Sequence, residues 1–328
     1  MSCWTLSQAV RGMAVLAGAV LCAGAGSASD RLVAQASFGG ATYLLEEVGS
    51  QGQVRTPDGL AKLASEVRAY ALAATVEGWV ATAVAPSRGG ARLALFTADP
   101  QLRRVEGPPA SAVVQASPQP VMAGGEWRGL LWLEGGDERS LGVRMAERRG
   151  GEFTDAVWVA PPGGSPILAP EVTVLADGSW LAVWSSVAGG DEDIFYSWRA
   201  GGAWTAPRRV HADNSVPDVT PALTAQGLGA IAAWGRFDGE SYRVRTSRFA
   251  QGAWVDSGWL SAAPGAHPYF VGEPDSRALV LPVSGSDAWA LYAVDDAGLE
   301  ALGQWSHASS IRPVARRLGG RWNLEFAP

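Results

Sequence analysis

The sequence predicts an all-β fold, a six-bladed β-propeller of four-stranded blades, from three observations. Two separate landmarks recur about every fifty residues and stay in phase. Each repeat divides into four short apolar runs separated by turn residues. No long stretch carries sustained helical periodicity.

The first landmark is a tryptophan closing an apolar run. Trp132 ends Trp127–Trp132, Trp184 ends Trp180–Trp184, and Trp234 ends Ala230–Trp234. Ala83 keeps the beat upstream, and Ala278–Val283 keeps it downstream. The second landmark is a glycine two residues before an aromatic: Gly151 and Phe153, Gly202 and Trp204, Gly252 and Trp254, Gly303 and Trp305.

The clearest unit runs from Pro170 to Val210. Glu171 to Leu175 is a β-rich run stopped by Asp177-Gly178, and Trp180 to Trp184 is the next. Ile194 to Trp198 alternates apolar and polar residues, as a half-buried strand must. Gly201-Gly202 turns the chain into a fourth run, Trp204 to Val210. A four-stranded unit of this length suits a propeller blade; a β-sandwich has no need of strands repeating in register.

On this beat the inner strands start near Val67, Pro120, Glu171, Pro221, Tyr269 and Ile311. The last unit is short, and Leu32 to Val54 holds a spare strand–turn–strand around Gly39-Gly40. Those N-terminal strands are expected to complete the last blade and close the ring, because an open ring leaves unpaired strand edges. Leu60, Leu63 and Val67 fit either a short helix or the inner strand of the first blade.

Residues 1–28 read as a signal peptide and 29–328 as one propeller domain. Arg11 precedes the apolar run Met13 to Ala25, and small residues follow it, which is the pattern of an export signal. The run is short for a bilayer span, which takes about 20 residues. The expectation is an exported chain, periplasmic or extracellular, with no transmembrane segment after cleavage. Leu21 before Cys22 disfavours lipidation there. Cys3 and Cys22 both lie in this segment, so the remainder has no thiol for a disulfide, a nucleophile or a metal. A net charge of −6 argues against nucleic acid as partner.

The segment Ser197-Trp-Arg-Ala-Gly201-Gly-Ala-Trp204 resembles the Asp-box (BNR repeat) of sialidase-like propellers, Ser-x-Asp-x-Gly-x-x-Trp. Ser197, Gly201 and Trp204 match, and Arg199 stands at the Asp position. The next unit keeps Ser247 and Trp254; the preceding one has Ala146 and Phe153 at that interval. The resemblance implies a turn on the face opposite the ligand site, so it bears on fold more than on catalysis. It also implies, for an active sialidase, an arginine triad for a carboxylate, a Tyr-Glu pair and an acidic aspartate. Arg55, in Val54-Arg55-Thr56-Pro57, is the nearest approach to the first arginine's motif, and Ile311-Arg312-Pro313 is a looser one. No motif selects among Tyr196, Tyr242, Tyr269 and Tyr292, so no catalytic set is assigned.

The turns after Trp132, Trp184, Trp234 and Val283 are expected on one rim of the ring. That rim would carry Asp137, Arg139, Asp191, Asp193, Arg236, Asp238 and Asp287, with His267 and Tyr269 on a linking segment and His211 to Asp218 on another. Acidic residues beside glycines also serve turn geometry alone. Asp191-Glu192-Asp193 offers hard oxygens for calcium but lacks the spaced ligands of a known loop. The histidines, His211, His267 and His307, show no metal spacing, so no metal or cofactor is expected. Recurrent tryptophans should fill the spaces between blades; Trp198, Trp259 and Trp289 fall off the beat and are freer to face outward. The functional expectation is a non-catalytic propeller binding a glycan or protein at this rim. The alternatives are a sialidase-like glycoside hydrolase and a structural subunit of an envelope assembly.

Overall fold

The computed structural model describes residues 31–326 apart from short interruptions, the longest being 100–103, 106–113 and 307–312. The proposed signal peptide, Asp137, Arg139, His307 and Arg312 lie outside the described residues. Every described element is a β-strand, and no described helix is long and apolar enough to cross a membrane.

Six four-stranded antiparallel blades follow one another along the chain, over 31–65, 68–105, 114–160, 167–209, 218–264 and 269–306. They are blades 1 to 6 below. In blade 4 the order is Ile167–Val174, Trp180–Val187, Glu192–Arg199 and Arg208–Arg209, from the inner strand outward. Inner strands of consecutive blades neighbour one another, which sets the ring. Blades 2 and 3 are further tied by one parallel bridge, Ala91 to Val114.

Two details of the expected ring are corrected. The N-terminal strands do not complete the last blade; Arg31–Phe38 to Gly59–Ser65 form blade 1 by themselves. The C-terminal segment forms a separate two-stranded sheet, Val314–Leu318 with Arg321–Glu325. The ring meets where Arg31–Phe38 touches Val314–Leu318 and Tyr269–Glu273. Blade 1 carries neither repeating landmark: its second strand, Ala41–Val48, has no tryptophan, and Gly59 is followed by Leu60 and Ala61. Leu60 and Leu63 lie on its outer strand, and Val67 just precedes the inner strand of blade 2.

The repeated tryptophans occupy the spaces between blades. Trp234 packs with Leu181, Val183 and Ile194 of blade 4. Trp184 packs with Leu131, Val143 and Met145 of blade 3, and Trp132 with Val80 and Leu95 of blade 2. Burying one such ring in place of an alanine stabilises by about 3–5 kcal/mol. Of the off-beat rings, Trp289 is buried against Tyr269 and Trp198 packs on Phe249. Only Trp259 of the three is exposed, flanked by Arg243 and Arg245.

Inner strands of three successive blades share a kink that periodicity does not reveal. Ser117, Ala169 and Thr220 each have positive φ, each precedes a proline, and each coincides with a register shift in the inner ladder. Such bulges bend the strand where the inner strands crowd the axis.

Candidate functional site

Strand direction fixes which residues share a face. Inner strands start, second strands end and third strands start at one end of each blade. Asp193 stands at the start of a third strand, Asp218 at the start of an inner strand and Arg236 near the end of a second strand. The link between blades 4 and 5 passes the same end and carries His211 and Asn214.

These side chains form one buried cluster between blades 4 and 5. Asp218 and Arg236 are paired across a ladder rung. Arg236 Nε donates to Asp218 Oδ1 at 2.6 Å, and Nη2 donates to Oδ2 at 2.8 Å. Trp234 Nε1 donates to Oδ1 at 2.7 Å, and Asn214 Nδ2 to Oδ2 at 2.9 Å. His211 stacks on Trp234 with ring centroids 5.6 Å apart, and its Nε2 lies 2.9 Å from Asp218 Oδ2. Arg209 Nε donates to Asp193 Oδ2 at 2.8 Å. The Asp218 side chain has no exposure, that of Asp193 1% and that of His211 9%.

The environment separates the carboxyl groups. Burial alone would raise Asp218, but the His211 ring 2.9 Å away and bonds from Arg236 and Asn214 outweigh it and hold the group below the usual carboxylate range. Burial raises Asp193 in spite of its bond from Arg209. Burial also raises Glu192, aided by the charge of Asp218 and opposed by a bond from Ser185. Tyr242 is pushed up by burial and by the charges of Glu192 and Asp218.

Blade 3 repeats this arrangement with other residues. Glu134 pairs with Gln115 on the equivalent rung. Glu134 Oε2 accepts Trp132 Nε1 at 2.9 Å and Gln115 Nε2 at 2.8 Å. In blade 4 the rung holds Ser186 and Ile167. The position two residues after each beat tryptophan is thus Glu134, Ser186 or Arg236. That Trp-x-polar spacing was the available signal for Glu134 and for the Asp218 rung.

Of the expected rim, Arg236 joins this cluster through its bonds to Asp218, Asp193 has a carboxylate oxygen within 4.8 Å of ligand atoms of His211 and Asp218, and Asp191 lies beside it at the head of the same third strand. Asp238 is exposed and caps its own turn, accepting backbone N–H bonds from Glu240 and Ser241. Asp287 is exposed in the blade 6 hairpin, and His267 is half-buried on the link into blade 6. Tyr269 is buried, its hydroxyl donating to Pro313 O at 3.1 Å. Arg55 sits beside the Pro57-Asp58 turn, at the opposite end of its blade, bonded to Glu46.

The turn after the third strand of blade 4 lies on that opposite face. Ser197 Oγ donates to Thr205 O at 2.7 Å, and Thr205 N–H to Trp198 O at 2.9 Å. Arg199 is flanked by Trp180 and Trp204, each ring 5.4 Å away, and bonds Glu147 of blade 3.

No protein-family model and no curated protein matches the chain. Solved structures do match. The propeller domain of the Trilobed protease from Pyrococcus furiosus, described as having an open velcro topology, aligns over 87% of each chain with a TM-score of 0.51 and 9% identity. The periplasmic gluconolactonase of Pseudomonas aeruginosa aligns over 90% of this chain and 88% of its own, with a TM-score of 0.54 and 13% identity. A puromycin-hydrolysing peptidase of Mycobacterium tuberculosis aligns over 90% of this chain, with a TM-score of 0.51 and 16% identity; this chain spans 49% of that peptidase. These likenesses establish the β-propeller fold, in a neighbourhood that includes hydrolases.

Proposed function

We propose that this chain is an exported, non-catalytic, sialidase-like propeller that binds a glycan or protein ligand at the rim where blades 4 and 5 meet. The observation that carries the reading is the state of the arginines. Arg236, at that rim, is neutralised in two bonds by Asp218, and Arg55 is bound to Glu46 at the other end of its blade. A carboxylate-binding arginine set needs guanidinium groups converging on one ligand. Asp191, at the same rim, can meet hydroxyl or amide donors of a ligand, and so can Asp238, whose Oδ1 caps its own turn and whose Oδ2 lies 3.7 Å from Arg243. The Ser197–Trp204 turn, on the far face, supports the sialidase-like part of the reading.

Glycan arrays and envelope pull-downs with the purified protein test it. Binding that falls about tenfold or more in an Asp191→Ala, Asp238→Ala chain supports the rim, since hydrogen bonds to charged groups contribute about 1.5–3 kcal/mol each. Binding unchanged by that pair moves the site elsewhere.

A second reading, a glycoside hydrolase, is favoured by one observation. Burial pushes the Glu192 carboxyl up while its bonded neighbours hold that of Asp218 down, and a pair pushed apart suits an acid and a base. Turnover of any fluorogenic glycoside, lost in Glu192→Gln, would replace the binding reading with this one.

A further inference from the structure

Two buried atoms in the blade 4–5 cluster lack the partner their chemistry calls for. His211 Nδ1 lies 2.7 Å from Ala212 O and 3.4 Å from Asn214 Nδ2; the shorter contact, to an oxygen that can only accept, is made when that nitrogen carries the hydrogen. In the neutral ring Nε2 then holds a lone pair, yet it faces the Asp218 carboxylate at 2.9 Å. That approach is close but lies off the line of a hydrogen bond, and Nε2 is left without a partner. Asp193 Oδ1, on a side chain 1% exposed, has no donor either.

One object resolves both. We propose that His211 Nε2, Asp193 Oδ1 and Asp218 Oδ2 ligate a divalent cation between blades 4 and 5. Each of the three residues offers a ligand atom within 4.8 Å of the others', close enough for one ion at about 2.0–2.5 Å from each. Two ligand atoms 2.9 Å apart, each about 2.1 Å from an ion, subtend nearly a right angle there, the cis angle of octahedral coordination. That angle also explains why Nε2 and Oδ2 are close without being aligned. A ligating imidazole usually donates its other N–H to a carbonyl or carboxylate, and Ala212 O fills that role.

The surroundings fix the ligands. Arg209 holds Asp193 by Oδ2 and leaves Oδ1 free. Arg236 and Asn214 orient Asp218, and Trp234 backs the imidazole. Two carboxylates and a neutral imidazole balance a divalent charge. The guanidinium groups of Arg209 and Arg236 beside them weaken the site. Mixed nitrogen and oxygen ligands at octahedral angles suit Mn2+, with Zn2+ a stronger competitor. The ion would sit where the ligand reading places its rim, but this inference does not require that reading: the cation can bind whether or not any glycan does.

The experiment is a titration of the chelator-treated full chain with Mn2+ at pH 7.5, counting free ion by its six-line EPR signal. The expected result is one Mn2+ taken up per chain and displaced by Zn2+. His211→Ala and Asp193→Asn should each weaken uptake at least about tenfold, while Asp191→Asn should not. A second readout needs no variant: in protein labelled at histidine, Mn2+ should broaden one ring signal of the three. No uptake at millimolar ion, uptake unchanged in both ligand variants, or broadening of a histidine other than His211 overturns the proposal. The first of those outcomes would leave His211 facing Asp218 at 2.9 Å with no ion between them.

Discussion

Asp218 and Arg236 face each other across one rung of blade 5 and are joined by two bonds, Nε to Oδ1 at 2.6 Å and Nη2 to Oδ2 at 2.8 Å. Asp218 is fully buried at the seam with blade 4 and Arg236 is 12% exposed, so the carboxylate depends on its partner's charge. Removing one partner of a buried pair costs about 3–5 kcal/mol, because the remaining charge is left uncompensated.

Asp218→Asn should therefore lower stability by an amount on that order. It also weakens the acceptor for Trp234 Nε1. Adding Arg236→Met should recover a large part of the loss, since no buried cation then remains. Urea unfolding of the two single variants and the double variant measures the coupling. Strict additivity would show that the pair is not the source of the effect.

Arg199, at the end of the third strand of blade 4, acts as a bridge between blades. It is flanked by Trp180 and Trp204 and bonded to Glu147 of the preceding blade. Arg199→Ala should cost about 1.5–3 kcal/mol, the range of a charge-assisted bond, with the cation–π contacts adding to it. Arg199→Asp should cost more, because a carboxylate would then face Glu147. A variant as stable as wild type would show that the turn can use either charge.

This residue marks what could and could not be read along the chain. The fifty-residue beat, the four strands of each blade and the placing of Trp132, Trp184 and Trp234 between blades were legible, because large aromatics at fixed intervals report packing directly. Blade 1 was not, since Leu45 and Val54 join a core whose tryptophan, Trp79, comes from blade 2. Nor was the partner of Arg199, which comes from another blade. At the site, Asp193, Arg236 and the His211–Asp218 link were visible as rim residues. Their convergence was not, because the three potential metal ligands come from a third strand, a link and an inner strand. No short spacing can encode that arrangement.

Glu147 makes the acid limb of stability specific. Burial would raise its pKa, but bonds and charges from Arg149 and Arg199 outweigh that and hold it below the usual value. A depressed carboxyl contributes stability that is present above its unfolded pKa and lost as pH falls through the lower folded one. The wild type should therefore lose stability on acidification below about pH 4.5. Glu147→Gln should be less stable at pH 7 and should show a shallower fall across that window. Thermal midpoints of both proteins between pH 3 and 7 check this. Parallel curves would mean that other carboxylates dominate the acid limb.

The weakest place in the ring should be its closure. Consecutive blades are joined by a continuous chain and share apolar cores, whereas Arg31–Phe38 meets Val314–Leu318 without pairing with it in a sheet. The terminal two-stranded sheet is held to blade 6 through Ala315 and Leu324, which pack with Val280 and Leu291, and through the Tyr269 hydroxyl on Pro313 O. Segments with few such ties open locally below the free energy of global unfolding. Hydrogen exchange should thus be faster in the ladder of Val314–Leu318 and Arg321–Glu325 than in the second and third strands of blade 4. Tyr269→Phe removes one buried bond, worth about 0.5–1.5 kcal/mol, and should speed exchange in that terminal sheet several-fold while leaving blade 4 unchanged. Equal acceleration everywhere would show that the terminal sheet opens only with the whole ring, and that side-chain packing alone closes it as firmly as a shared blade would.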